Sequence, residues 1–425
     1  MFTPLTDKQI EQRYELARES YAALGTDTEA QLQRLERIAV SLHCWQGDDV
    51  AGFEVKEGAV SGGGILATGN YPGRARNGDE LRADAEKALS LIPGKGRFSL
   101  HAIYAETGSK PVPRDELEPR HFQRWMDWAR SQGLRLDFNP TYFAHPLADS
   151  GYTLSSANDT VRAFWIRHGI ACRRIAEAMG RAQASSAVIN HWVPDGAKDS
   201  PIDRWGPRRR LADSLDQILA AEADARLCKD AVEAKLFGIG SEDYVVGSHE
   251  FYMGYALTRK PMLCLDMGHF HPTETIHDKL SAILQFKPEV LLHVSRGIRW
   301  DSDHVVILND DLRQVFHELA RGDALARTHV ALDYFDASMN RVGAWVIGTR
   351  AAKKAILYAL LEPTVTLQAL ENAGDLAGKL GLLEELKTMP FGAVWDCFCL
   401  RQGVPVGGAW LRELQAYDAG VIRRR

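Results

Sequence analysis

Eight short apolar runs recur along the 425-residue chain, at 39–43, 98–104, 134–138, 187–192, 231–236, 262–265, 290–294 and 329–332. Runs this short, such as Met262 to Leu265 between Pro261 and Gly268, fit buried strands better than helices. Between them lie segments with apolar residues at helical spacing, including 119–132, 160–179, 209–227, 273–285 and 310–321. Strands alternating with helices over about 300 residues predict an α/β fold, the (β/α)8 TIM barrel, with an open doubly wound sheet as the rival.

A barrel places its working residues where strands end, at the C-terminal rim. Charged and imidazole side chains should therefore sit late in the runs or just after them. His43, Glu106, Asp137, Trp192, Glu233 with Lys235, Asp266, His293 and Asp333 all do. Glu233, Asp266, His293 and Asp333 fall on four successive strands, five to eight, and would converge across part of the rim. Their carboxylate and imidazole donors suit a divalent cation such as Mn²⁺, Mg²⁺, Co²⁺ or Zn²⁺. A second ligand set follows the same strands: His269 and His271 after strand six, and Asp301-Ser302-Asp303-His304 after strand seven. With His269, Asp301 and Asp303 on a second ion, Asp266 is close enough in sequence to serve both. Each of these residues, taken singly, could also be a polar loop residue capping a helix.

Lys235, two residues beyond Glu233, is expected to share its strand and its face. It could donate to a substrate oxygen or pair with a ligand carboxylate. Trp192 could wall the pocket against water or simply fill the core. His101 is a candidate for contact with a substrate hydroxyl, or a hydrogen-bonded core histidine.

Outside the barrel, residues 1–38 read as two charged amphipathic helices, 7–24 and 27–38, split by Gly25-Thr26. The catalytic barrel is expected to occupy 39–336. Residues 337–425 carry helical segments at 350–361, 367–371, 376–388, 393–401 and 409–418 and no obvious ligand set, so they read as an extension that packs against a neighbouring subunit. The stretch 46–80, with Gly62-Gly63-Gly64, is long for a plain loop and is a candidate binding loop or lid. No Lys follows those glycines, so it is not a phosphate loop.

A net charge of −5 offers no electrostatic footprint for nucleic acid, and Arg423-Arg424-Arg425 reads as a solvated end. No run approaches the length of a membrane span, and the mixed-charge start is neither signal peptide nor anchor. The 6 cysteines form no CxxC pair, so reduced thiols in a cytoplasmic protein are expected.

Several stretches carry a resemblance. Asp266-x-x-His269, Asp301-x-Asp303 and Glu233-x-Lys235 resemble the pattern of the metal-dependent aldose-ketose isomerases with xylose isomerase-like barrels. Residues 41–49 (SLHCWQGDD), 67–73 (ATGNYPG), 235–240 (KLFGIG), 268–274 (GHFHPTE), 299–306 (RWDSDHVV) and 344–350 (AWVIGTR) are similar to the bacterial L-rhamnose isomerase family, and the likeness runs over nearly the whole chain. The resemblance implies a homotetrameric barrel enzyme that interconverts L-rhamnose and L-rhamnulose with Mn²⁺. It further implies Glu233, Asp266, His293 and Asp333 as ligands of a structural ion, and His269, Asp301 and Asp303 as ligands of a catalytic one. Hydrogen would move from C2 to C1 as hydride, with Lys235, Asp333 and His101 as catalytic residues and His101, Trp192 and Lys235 against the sugar. Two rivals stay open from the residues alone: a metal-dependent phosphodiesterase, which the absence of a basic groove near the ligands disfavours, and a sugar-binding barrel without turnover.

Overall fold

The computed structural model describes residues 5–54, 67–238, 240–299 and 301–425, and the side chains of all of these except 301–303. Eight parallel strands close into a barrel: β1 (Val40–His43), β2 (Gly96–His101), β3 (Arg135–Asn139), β4 (Ala187–Trp192), β5 (Cys228–Glu233), β6 (Met262–Asp266), β7 (Val290–Val294) and β8 (Thr328–Leu332). Each pairs with its neighbour in sequence, and β8 returns to β1 through Val40 opposite Val330. The open-sheet alternative is thereby excluded.

Alternation along each strand sends every second side chain toward the barrel axis. On β4 to β8 the middle of that axis is filled by apolar residues, Val188, Ala231, Met262, Cys264, Leu291 and Ala331, which form a cluster of their own. The inward positions above this layer are Glu233, Asp266, His293 and Asp333, so the apolar plug acts as a floor for the charged rim. On β1 to β3 the equivalent positions are polar: Ser41, Arg97, Ser99, Asp137 and Asn139, all buried or nearly so.

The helices supply the outer wall. Asp310–Arg321 has the signals its sequence advertises: Asn309 accepts from the Leu312 amide at 3.1 Å, acids occupy the first turn, and Arg321 ends it. Arg341–Leu360 begins nine residues before the expected 350, because its first half is buried on nearly all sides and lacks the polar stripe that marks a surface helix. That helix closes the barrel against β1: Trp345 donates from Nε1 to the carbonyl of His43 at 2.8 Å, and the buried Lys353 ammonium reaches the carbonyl of Lys95 at 3.0 Å. A Cβ at Gly348 would lie 2.2 Å from the Tyr334 hydroxyl oxygen, so glycine lets the helix settle onto the residue that follows Asp333. The expected boundary at 337 thus falls ahead of a helix that packs on the barrel wall.

The two N-terminal helices run Asp7–Ala22 and Thr28–Arg37, and the tail continues as Thr364–Asn372, Leu376–Leu386, Phe391–Arg401 and Ala409–Gly420. Arg401 ties this tail to the N-terminal helices through Glu29 (2.7 and 2.8 Å) and over the Tyr14 ring. Gly78–Leu89 and His249–Thr258 are helices that the spacing of apolar residues did not reveal.

Candidate metal centre and active site

Four strand ends build the centre. His293, inward-facing on β7, places Nδ1 3.1 Å from Glu233 Oε1, 3.0 Å from Asp333 Oδ2 and 3.7 Å from Asp266 Oδ2. One ligand atom from each of the four residues lies within 4.8 Å of all the others, and Glu233, Asp266 and His293 are buried. His269 joins them, with Nδ1 3.4 Å from Glu233 Oε1. The convergence expected for Glu233, Asp266, His293 and Asp333 is therefore present, with His269 beside it.

The barrel wall orients each carboxylate by holding its other oxygen. Asn190 Nδ2 donates to Glu233 Oε2. The Gly268 amide (2.7 Å) and the Ser295 hydroxyl (2.6 Å) donate to Asp266 Oδ1. Trp45 Nε1 donates to Asp333 Oδ1 at 3.1 Å. In every case the oxygen left over points at the common centre. For Asp266 this means Oδ2 faces the cluster while Oδ1 already accepts two hydrogen bonds.

Three carboxylates around one imidazole nitrogen repel one another, and burial removes the water that would screen them. The titration behaviour follows. Burial pushes Asp266 up to about 6, with His269 opposing and Glu233 and Asp333 adding to the rise. Asp333 would be raised by burial too, but its hydrogen bond to His293 and the charge of that ring bring it down to about 2. For His293, burial disfavours the charged ring, yet the acidic groups around it outweigh burial and hold its pKa well above the ordinary value. A centre that draws a positive charge onto His293 is one that a divalent cation fits: the donor set is hard oxygen plus imidazole, and four donors already converge.

Among the other expected site residues, Trp192 ends β4 beside Glu233 in register and meets Phe143 edge-on at 5.8 Å. His101 ends β2, sits edge-on to Trp45 at 4.8 Å, and meets the Thr141 hydroxyl through Nδ1 at 3.1 Å; burial lowers it to about 3, so it is neutral. Lys235 lies outside the strand on which it was expected. β5 starts at Cys228 and ends at Glu233, because its register is set by Ala187 opposite Cys228 on β4. The Lys235 amide instead bonds Gly247 O (3.2 Å), and its ammonium donates to Ser241 Oγ and to Leu236 O (3.1 Å). Asp301 and Asp303 stand on a short ribbon, Arg296–Ile298 paired antiparallel with Asp301–His304, that follows β7 directly; their side chains, like all of Trp300, lie outside the described residues. So does Gly62-Gly63-Gly64 of the candidate loop.

Two residues that share the strand-end pattern belong elsewhere. Glu106 is held by Arg82 (2.9 Å) and Arg124 (2.7 Å). Asp137 is buried lower on β3 against Arg97 (2.7 Å), Ser41 (2.8 Å) and the Val188 amide (2.9 Å). Position late in a run cannot separate a converging carboxylate from one that has a private cation. The residues that reading did not find, Asn190, Ser295 and Trp45, are neutral donors whose sequence signal is only their strand-end position.

A closed (β/α)8 barrel with carboxylates and imidazoles converging at the C-terminal ends of four adjacent strands defines a metal-site barrel enzyme. The family model described as L-rhamnose isomerase (RhaA) matches residues 8–425, and the chain belongs to that family. An L-rhamnose isomerase of Rhodopirellula baltica is 59% identical over 416 residues, covering 98% of this chain and 97% of that protein. One from Escherichia coli is 54% identical over 417 residues, covering 98% and 99%. Among solved structures, a barrel titled as L-ribulose 3-epimerase aligns with a TM-score of 0.49 at 11% identity, over 76% of this chain and 95% of that one.

Proposed function

We propose that the chain interconverts L-rhamnose and L-rhamnulose as a metal-dependent intramolecular oxidoreductase. The observation that carries the reading is the meeting of Glu233, Asp266 and Asp333 on His293 with their other oxygens already satisfied, in a chain 59% identical to a relative of that name.

In this reading Glu233, Asp266, His293 and Asp333 hold one divalent ion, and His269, Asp301 and Asp303 hold a second, with Mn²⁺ the assigned metal and Zn²⁺, Co²⁺ and Mg²⁺ acceptable to the same donors. Bound there, divalent cations would polarise adjacent oxygens of an open-chain sugar. The reaction moves one hydrogen with its electron pair from C2 to C1 and one proton from O2 to O1. The C1 carbonyl becomes an alcohol as the C2 alcohol becomes a carbonyl. Lys235, as an ammonium, donates to the oxygen that gains negative charge. Asp333, held by Trp45, keeps one oxygen toward the reacting end. His101, neutral and fixed by Thr141, meets a sugar hydroxyl, and Trp192 with Phe143 keeps water from the carbons.

The exposed apolar residues Val365, Leu376 and Leu380 on the tail helices support a second element of the reading, that the tail packs between copies of the chain in a homotetramer. Among the described residues no helix is long and apolar enough to cross a membrane. We place the enzyme in the cytoplasm, where its six buried free thiols would stay reduced.

The test is ketose formation from L-rhamnose by the purified, Mn²⁺-supplemented protein, run also in D₂O. The reading expects ketose without solvent deuterium at C1. Deuterium at C1 would remove the hydride step, and no ketose at all would remove the function.

A further inference from the structure

The opposite end of the barrel is open. A cavity of about 500 Å³ enters between the N-terminal ends of the strands and runs along the polar side of the axis as far as Asn190 and His293. That volume lies within the range of small-molecule sites, where a barrel of this kind usually has only packed side chains.

Its chemistry changes with depth. At the mouth, Arg37, at the end of the helix before β1, and Arg135, the first residue of β3, are exposed, and their side chains have no hydrogen-bond or ion-pair partner among the described residues. Arg135 is in register with Arg97 of β2, whose guanidinium is spent on Asp137. Deeper, Leu291 and Ala331 offer an apolar wall. At the inner end Asn190 is 3% exposed, and its Oδ1 has no donor although its Nδ2 is committed to Glu233. A buried acceptor without a donor costs free energy unless something in the cavity supplies one.

We propose that this cavity is a second binding site, for a small anionic polyol of the phosphorylated-sugar class. The anionic group would meet Arg37 and Arg135 at the mouth, since guanidinium groups suit phosphate. A C–H face would lie on Leu291 and Ala331, and a hydroxyl would donate to Asn190 Oδ1. The site opens at the end opposite the carboxylate cluster and touches it only at its inner end, through Asn190 and His293; it does not depend on the isomerase reading.

Isothermal titration of the full-length protein with a hexose 1-phosphate, inorganic phosphate and the neutral hexose tests it. The hexose phosphate should bind saturably and more tightly than either simpler probe, and the Arg37→Ala/Arg135→Ala double variant should weaken it by roughly tenfold or more. Both residues are exposed, so the variant should keep its thermal midpoint and its basal activity. Asp333→Asn, which alters the other end, should bind the probe as the wild type does. No saturable binding, binding no tighter than that of inorganic phosphate, or binding lost in Asp333→Asn but kept in the arginine variant would each overturn the proposal.

Discussion

The two ends of this barrel both bury charge, and they do so in opposite ways. Toward the N-terminal end each carboxylate has a cation of its own: Asp137 has Arg97, and Glu289 has Lys229 at 2.6 Å and His329 at 2.9 Å. At the C-terminal end, among the described residues, Glu233, Asp266 and Asp333 share the His293 imidazole, with His269 beside Glu233, and their remaining oxygens are held by neutral donors. A private cation makes a buried carboxylate part of the frame. Carboxylates that converge without one make a place for a cation to come from outside. Burial alone does not mark the active end of this molecule; the difference in pairing does.

The contrast can be broken most severely at the cluster. Glu233→Gln should lose several kcal/mol of transition-state stabilisation, roughly 10³-fold in kcat, while the fold, read by circular dichroism, persists. Asp137→Ala at the other end should do the reverse. It strands Arg97 beside a buried wall and should cost ~3 kcal/mol of stability in a denaturant titration, with kcat per folded molecule unchanged. If both variants lost activity alike, pairing would not distinguish the two ends.

A gentler probe removes one neutral donor. Ser295→Ala takes a hydroxyl from Asp266 Oδ1, and the affinity for Mn²⁺ measured by competition with a chelator should fall by roughly 10–100-fold, with activity restored at saturating metal.

Acid titration gives the smallest effect. The hydrogen bond from His329, opposed by burial and aided by Lys229, lowers Glu289 from 4.5 to about 2. A depressed folded pKa contributes stability that is present above 4.5 and is lost as pH falls toward 2. Glu289→Gln should therefore flatten the stability curve over that window and leave it unchanged near neutrality in slope.

Much of this was legible in the sequence because strand periodicity survives translation into a barrel. The runs at 187–192 and 290–294 are strands over those same residues, and most others agree to within two positions. The four converging residues were legible for the same reason: Asp266 and Asp333 directly follow their runs, His293 is next to last in its own, and Glu233 ends the strand inside the run at 231–236. The run at 231–236 misled, since Ala231-Val232 and Ala234 continue an apolar rhythm past the point where pairing with β4 and β6 stops, and Lys235 was carried onto a strand it has left. Gly78–Leu89 was missed because only its first residues fall in the 46–80 stretch that reads as loop and no run was assigned to the rest, although Asn77 caps it through the Glu80 amide at 3.0 Å. Asp137 shows the deeper limit. Its partner Arg97 is 40 residues away, on the neighbouring strand, and only register brings them together.

The most direct measurement is an anomalous difference map from a crystal grown with Mn²⁺. A peak bonded at about 2.0–2.3 Å to Glu233, Asp266, His293 and Asp333 is expected. A map with no peak there, or with Mn²⁺ only at sites that exclude these four side chains, would contradict it.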